Sequence, residues 1–285
     1  MPIVIENLTH TYMEKSSNAC TALQNINLTV NDGEFLGIIG HTGSGKSTLI
    51  QHFNGLMQPT GGRVTVDGYD MSEKKQRVKG RALVGMVFQY PDYQLFDSTV
   101  LDDISFGPKN LGMNPEEAKR CAFEAMNLVG LEPEDAQKSP FELSGGKKRR
   151  AALAGIIAMR PKYLVLDEPM AGLDPSGRED VLNTIKKLRR ELSCAVIMVS
   201  HSMEDIAKSA ERIIILNKGK LYAEGTPEEI YSDADKLIEL GLDAPEMTKL
   251  ISILREKNID VPKGIFTDEQ FIRWFKKVRA VKGNA

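Results

Sequence analysis

Gly40-His41-Thr42-Gly43-Ser44-Gly45-Lys46-Ser47-Thr48 fits the pattern G-x-x-x-x-G-K-[S/T]. The short apolar run Phe35-Leu36-Gly37-Ile38-Ile39 precedes it, and Thr48-Leu49-Ile50 begins a helix after it. A buried parallel strand, a glycine-rich turn and a helix N-terminus make a phosphate-binding loop. Glycines at 40, 43 and 45 let the backbone turn tightly, so the N–H groups of the run can point at phosphate oxygens. The helix dipole adds a positive end. Lys46 supplies a point charge for β- and γ-phosphates, and Ser47 a hydroxyl for Mg²⁺.

Working outward, three more apolar strands end in polar residues. Val84–Phe88 ends in Gln89, Tyr163–Leu166 ends in Asp167-Glu168-Pro169, and Ala195–Ser200 ends in His201. The C-terminal ends of parallel strands are where α/β sheets bind ligands. Asp167 can hold Mg²⁺ with Ser47, while its neighbour Glu168 points the other way and can face an attacking water as general base. Gln89 reads as a Mg²⁺ ligand, a water-orienting amide or a turn residue. His201 reads as a γ-phosphate sensor or a structural imidazole. Tyr12, between the early strands Ile3–Ile5 and Ile26–Val30, is either a half-buried sheet aromatic or a platform for a nucleotide base. Val64-Thr65-Val66 and the turn Asp67-Gly68 complete an antiparallel layer beside the loop strand.

A helical insert occupies about residues 98–160. Asn114-Pro115-Glu116-Glu117 caps one helix and Gly130 ends it. Leu143-Ser144-Gly145-Gly146 opens another, followed by Lys147, Lys148, Arg149 and Arg150. Cations in a first helical turn oppose the dipole, and paired glycines weaken the helix. Such an end is either an anion site or a capped, solvated basic patch. After the hairpin around Asn217–Lys220 the motifs end near residue 245. Residues 246–285 read as a helical appendage, with Leu250, Ile251 and Leu254 on one helix. A turn at Val261-Pro262-Lys263-Gly264 leads to a second helix, capped by Thr267, with Phe271, Trp274, Phe275 and Val278 on one face. That face packs on the main domain or on another subunit.

Bulk properties exclude several classes. A net charge of −2 gives no global drive toward nucleic acid. The 3 cysteines are far apart, which argues against a disulfide framework or a zinc site. Neither a signal peptide nor an apolar run long enough to span a bilayer is visible, so any membrane role comes through a partner.

In this order, the phosphate loop, Gln89, LSGG at 143–146, YLVLDEP at 163–169, AGLD at 171–174 and His201 resemble an ABC-type ATPase. The resemblance covers about residues 3–245. It implies an α/β fold of the P-loop NTPase class. Its parts are a mostly parallel core sheet, an antiparallel β subdomain and a helical signature subdomain, with the appendage added at the C-terminus. It also implies ATP and Mg²⁺ as ligands, and two cassettes facing head to tail. Ser144-Gly145-Gly146 of one cassette would then complete the γ-phosphate site of the other.

Val87–Phe96, Phe106-Gly107-Pro108-Lys109-Asn110 and Pro262–Thr267 narrow the resemblance to energy-coupling factor (ECF) importers, closest to the second of their two ATPase types. That implies a peripheral subunit at the cytoplasmic face of the cell membrane. Its partners would be a second cassette, a transmembrane coupling subunit and membrane subunits that bind vitamins or transition-metal ions. One position departs from the family pattern: Lys147 stands where the signature usually has Gln. Alternatives are the ATPase of another ABC transporter, a chromosome-maintenance ATPase, which requires a long coiled coil that is missing here, and a two-cassette translation factor.

Overall fold

The computed structural model describes residues 1–232, 234–262 and 264–282, so Lys263 of the expected turn and the last three residues lie outside them. β1 (Ile3–Tyr12) and β2 (Cys20–Val30) pair antiparallel, and β3 (Phe35–Ile39) leads through the glycine-rich loop into α1 (Lys46–Phe53). β4 (Gly61–Val66), β5 (Tyr69–Asp70), α2 (Lys74–Ala82) and β6 (Val84–Val87) follow. α3 (Val100–Asn110), α4 (Pro115–Val129) and α5 (Gly145–Ile157) form the helical insert, with 3-10 turns at Pro91–Gln94, Pro133–Gln137 and Pro140–Glu142. β7 (Tyr163–Asp167), α6 (Pro175–Leu192), β8 (Ala195–Val199), α7 (Met203–Ala207), β9 (Arg212–Asn217) and β10 (Lys220–Gly225) complete the sheet region. α8 (Pro227–Tyr231), α9 (Ala234–Glu239), α10 (Glu246–Glu256) and α11 (Asp268–Lys282) close the chain.

Two sheets result. A four-stranded antiparallel sheet runs β2-β1-β4-β5, and a six-stranded sheet runs β10-β9-β3-β8-β7-β6. Within the larger sheet β9, β3, β8, β7 and β6 are parallel, and only β10 is antiparallel, at the edge. Strand alternation divides the core. Leu36, Ile38, Val165 and Ile197 face the antiparallel sheet, with Ile3, Ile5 and Leu23 opposite. Phe35, Ile39, Leu164, Leu166 and Met198 face the helices, against Ile185, Leu188 and Ile157. Each fully buried aliphatic or aromatic side chain of this kind contributes about 1.5–3 kcal/mol.

Local chemistry sets the helix ends. Asn114 accepts a hydrogen bond from Glu117 N, Pro115 occupies the first turn of α4, and Gly130 at φ 76 ends it. Asp174 caps α6 through Gly177 N, again with Pro in the first turn. The two sheets meet at a seam of glycines. Gly45 and Gly219 have φ 103 and 75, and a Cβ on them would stand 2.7 and 2.6 Å from the Ala22 carbonyl oxygen. Without side chains there, Gln24 N donates to Gly219 O at 2.8 Å and Gly219 N donates to Ser44 O at 3.0 Å.

The C-terminal helices divide their loyalties. Thr248 and Ile251 of α10 are buried next to Tyr231 and Ser232 of the main body, and Glu246 N donates to Glu204 Oε1 at 3.1 Å. On α11 the expected face exists, with Phe271 5.4 Å from Trp274 and 6.1 Å from Phe275, but Phe275 remains 52% exposed.

Candidate active site

The loop between β3 and α1 folds around Lys46. This lysine is buried, and its Nζ donates to Gly40 O at 2.6 Å and His41 O at 3.1 Å. An ammonium has three N–H groups, so one is left for a ligand. Burial lowers the pKa of Lys46, while Glu168 and Asp167 oppose that shift. α1 begins at Lys46, two residues before the position that the apolar pattern suggests. Ser44 is fully buried and its hydroxyl has no protein partner, which suits a loop that receives phosphate oxygens. His41 is tied by Nε2 to Asn217 Oδ1 at 3.1 Å. Ser47, Thr42 and Gly43 are exposed.

Parallel register brings the strand-end residues to the same edge. Asp167 of β7 pairs with Val199 of β8, one residue short of Ser200-His201, and Ile38 of β3 pairs with the same Val199. Asp167 is buried; burial raises its pKa, and the nearby Ser47 side chain, Lys46 and His201 pull it down. Glu168 follows with φ 51, a left-handed backbone that is uncommon for a side chain of this size. Its N–H donates to Val199 O at 3.0 Å, and its carbonyl accepts from Ala171 N at 3.1 Å. Its carboxylate accepts from His201 N at 3.2 Å. Burial raises the Glu168 pKa and Asp167 adds to that, against His201 N–H, Lys46 and Arg178. Arg178 of α6 is itself paired with Asp205 of α7 at 3.1 Å. His201 has its pKa lowered by burial and by Lys46, so its ring is held neutral. Gln89 follows β6 on the same edge; among the described residues its side chain has no hydrogen-bond partner.

Tyr12 ends β1 instead of lying between strands. Its hydroxyl shares a hydrogen bond with Thr48 Oγ1 at 3.0 Å, and its ring meets His10 edge-on at 4.7 Å. The exposed remainder of that ring stands beside the phosphate-loop helix. Thr48 O in turn meets His52 Nδ1 at 2.7 Å.

Ser144-Gly145-Gly146 lies elsewhere, at the exposed start of α5, which packs on α3, α4 and the 3-10 turn at Pro91–Gln94. Among the described residues no hydrogen bond or ion pair joins this end to the phosphate loop of the same chain. Ser144 caps the helix through Lys147 N. Three of the four cations after it hydrogen-bond to protein groups, while Lys148 lies over the Phe141 ring at 6.0 Å. Lys147 Nζ meets Asp135 Oδ2 at 2.7 Å and Glu132 Oε2 at 3.0 Å, Arg149 donates to Ala171 O, and Arg150 donates to Gly130 O. The basic run is therefore neither a solvated patch nor a free anion trap. What it leaves for an anion is Ser144 and the backbone N–H groups of two glycines with open space around them. Arg178 and Asp205 were not singled out by sequence pattern, and Arg149 only as one of the basic run, because their partners lie on other elements.

The site combines a phosphate-seeking loop, an exposed Ser47 hydroxyl beside the buried Asp167 carboxylate, and the largely buried Glu168 carboxylate with raised pKa beside a neutral imidazole. This is the equipment for binding a nucleoside triphosphate and activating water against its terminal phosphate. The family model described as "ABC transporter" matches residues 23–171. The energy-coupling factor transporter ATP-binding protein EcfA2 of Caldanaerobacter subterraneus subsp. tengcongensis is 51% identical over 271 residues, 95% of each chain. The protein of the same name from Clostridioides difficile is 46% identical over 286 residues, 99% of each chain. Among solved structures, cbiO1 of Clostridium perfringens, part of the ABC transporter complex cbiONQ, superposes with TM-score 0.74 at 33% identity. That superposition covers 88% of this chain and 98% of cbiO1. A dimeric ATP-binding cassette in a post-hydrolysis state, bound to ADP and Pi, gives TM-score 0.70 at 31% identity over 79% of this chain and 98% of its own.

Proposed function

The chain belongs to the ABC transporter family and, by its full-length identity, to the energy-coupling factor ATP-binding proteins, and on that premise we propose that it hydrolyses ATP to drive an ECF-type importer. Lys46 and the amides of Gly40–Thr48 hold the phosphates, and the Tyr12 ring stacks on the adenine. Mg²⁺ fits the donors present. The exposed Ser47 hydroxyl beside the buried Asp167 carboxylate suits a hard cation, and among the described residues there is no cluster of three or more metal-ligating side chains. That suits an ion held by one carboxylate, a hydroxyl and the substrate's own phosphates. When bound there, with Gln89 beside it, Mg²⁺ supplies positive charge against the phosphate oxygens. Glu168 takes the proton of the attacking water, and His201 fixes the geometry of the γ-phosphate.

The observation that carries this reading is the separation of two phosphate-seeking ends on one chain. Ser144-Gly145-Gly146 is exposed and not joined to its own phosphate loop, so it is free to complete the site of a second cassette. The dimeric state of a similar cassette supports that arrangement. No described helix is long and apolar enough to cross a membrane, so coupling runs through membrane partners that the chain meets peripherally at the cytoplasmic face. The exposed aromatic run Tyr90, Tyr93 and Phe96, directly after Gln89, is the surface for the coupling subunit. Residues 246–285 serve as an appendage that steadies the dimer. Substrate-binding membrane subunits select the cargo, which this chain does not touch.

Affinity purification of the tagged chain from membranes tests the reading. A second, different cassette and a transmembrane coupling subunit should co-purify, and turnover per chain should rise steeply when the second cassette is added. A concentration-independent, fully active monomer without membrane partners would overturn it. A single dedicated permease in place of a coupling subunit would favour an ABC transporter outside the ECF group.

A further inference from the structure

Arg149 sits where three parts of the site meet. It lies in the first turns of α5, is largely buried, and its Nη2 donates to the Ala171 carbonyl at 3.1 Å. Ala171 N donates to the carbonyl of Glu168 at 3.1 Å. A path thus runs from the signature helix to the backbone of Glu168, which is held in a left-handed conformation that its surroundings must enforce. On its other side Arg149 faces Asp92, with Nε 3.8 Å from Oδ1. Arg149 Nη1 and Asp92 Oδ1 are both buried and both lack a hydrogen-bond partner. A charge pair whose facing atoms are buried but left just outside hydrogen-bonding distance is costly, and a shift of less than about 1 Å would close it. Asp92 belongs to the 3-10 turn Pro91–Gln94, whose neighbouring Tyr93 is 89% exposed.

We propose that Arg149 is a positioning residue for hydrolysis, which transmits movement of the Asp92 turn through the Ala171 carbonyl to Glu168. The inference rests on the hydrolytic reading above, but not on what cargo the complex carries. When the turn draws Asp92 toward Arg149, the guanidinium closes on the carboxylate, and its grip on Ala171 shifts. The Ala171–Glu168 turn then moves with it, because Arg149 is one rigid planar fork that serves both partners.

The test uses the native complex purified with its second cassette, the partner's own site disabled, and ATP as the probe. Arg149→Gln should lower kcat about tenfold while KM for ATP stays within about twofold, since the loss falls on the positioned base and not on ATP binding. Asp92→Asn should lower kcat less, and the double variant should be no worse than Arg149→Gln alone, the non-additivity expected of one connected unit. Arg149→Lys keeps the buried charge yet cannot span both partners, so it should show the same kcat loss at unchanged KM; it decides the matter if Arg149→Gln does not assemble. A kcat within about twofold of wild type in the assembled Arg149 variants, losses that add with Asp92→Asn, or a rise in KM matching the fall in kcat would overturn the inference. Failure of the transport reading looks different: a wild-type complex that contains no membrane subunit.

Discussion

His201 stands beside both oxygens of the Glu168 carboxylate: its backbone N–H donates to Oε2 at 3.2 Å, while its Nε2 lies 3.4 Å from Oε1 without a hydrogen bond. Burial keeps the imidazole neutral and the carboxyl pKa raised. A neutral ring leaves Glu168 able to accept a proton instead of locking it in a full ion pair. The arrangement favours a base poised nearer the working pH than a free glutamate.

Glu168→Gln keeps size and the His201 contact but cannot take a proton. Single-turnover hydrolysis at this chain's own site should fall on the order of 10²–10⁴-fold, with ATP binding retained. Because the folded pKa of Glu168 is raised, the wild-type acid limb of kcat should lie above the ordinary glutamate range, with activity lost as pH falls through it. Wild-type cleavage by the variant would leave His201 as the next candidate for the base. Asp167→Asn should differ, weakening Mg²⁺-dependent ATP binding.

Lys46→Ala removes the loop's buried cation and two hydrogen bonds that close the loop on itself. Most ATP affinity should disappear in an equilibrium titration with a fluorescent nucleotide. Unchanged affinity would refute the assignment of the phosphate loop.

Lys147→Gln restores the residue more usual at that position, at a cost in stability. Asp135 is fully buried, and hydrogen bonds from Lys138 and then Lys147 hold its pKa down at about 2. A depressed acid stabilises the fold above its unfolded pKa of about 3.9, and that stability is lost as pH falls toward the folded value. The variant should therefore melt roughly 2–4 °C lower at pH 7, and the gap should narrow between pH 4 and 2. Thermal melts across pH check this; a gap independent of pH would show that the ion pair is not its source.

His52 predicts a second pH window. It is buried, its Nδ1 meets Thr48 O at 2.7 Å, and burial drives its pKa down to about 4. An unfolded histidine titrates near 6.5, so stability should decline as pH falls from about 6.5 to 4, where the unfolded state binds the extra proton. His52→Phe should flatten melting temperature across that window. Equal slopes in variant and wild type would clear His52 of the effect.

The motifs that touch phosphate were legible because their chemistry is local: glycines, a lysine and a hydroxyl on consecutive residues, and carboxylates at a strand's end. The parallel sheet was legible through apolar runs such as Ala195–Val199. α6 carried its own signals, an Asp174 cap, Pro175 and Leu182, Ile185 and Leu188 at helical spacing, but no motif drew attention to it. The basic run after Gly146 was misleading for a physical reason. Lys147 is paired with Glu132 and Asp135 and Arg149 faces Asp92, carboxylates that neither periodicity nor spacing places beside them. Tyr12 shows the same limit, since its contact with Thr48 spans 36 residues.

The glycine seam between the sheets bears on how such chains can be recombined. Gly45 and Gly219 are far apart in sequence yet both yield to one carbonyl, that of Ala22. A chimera that takes residues 1–30 from one relative and the rest from another carries the carbonyl from one parent and both glycines from the other. Such a cross stays in register only if the donated strand presents its backbone at the same height. A single crossover inside the helical insert keeps Ala22 with Gly45 but still takes Gly219 from the other parent, whereas a pair of crossovers that exchanges only part of the insert leaves all three together. Functional hybrids should therefore cluster where paired breakpoints fall inside the insert and thin out between β2 and the phosphate loop.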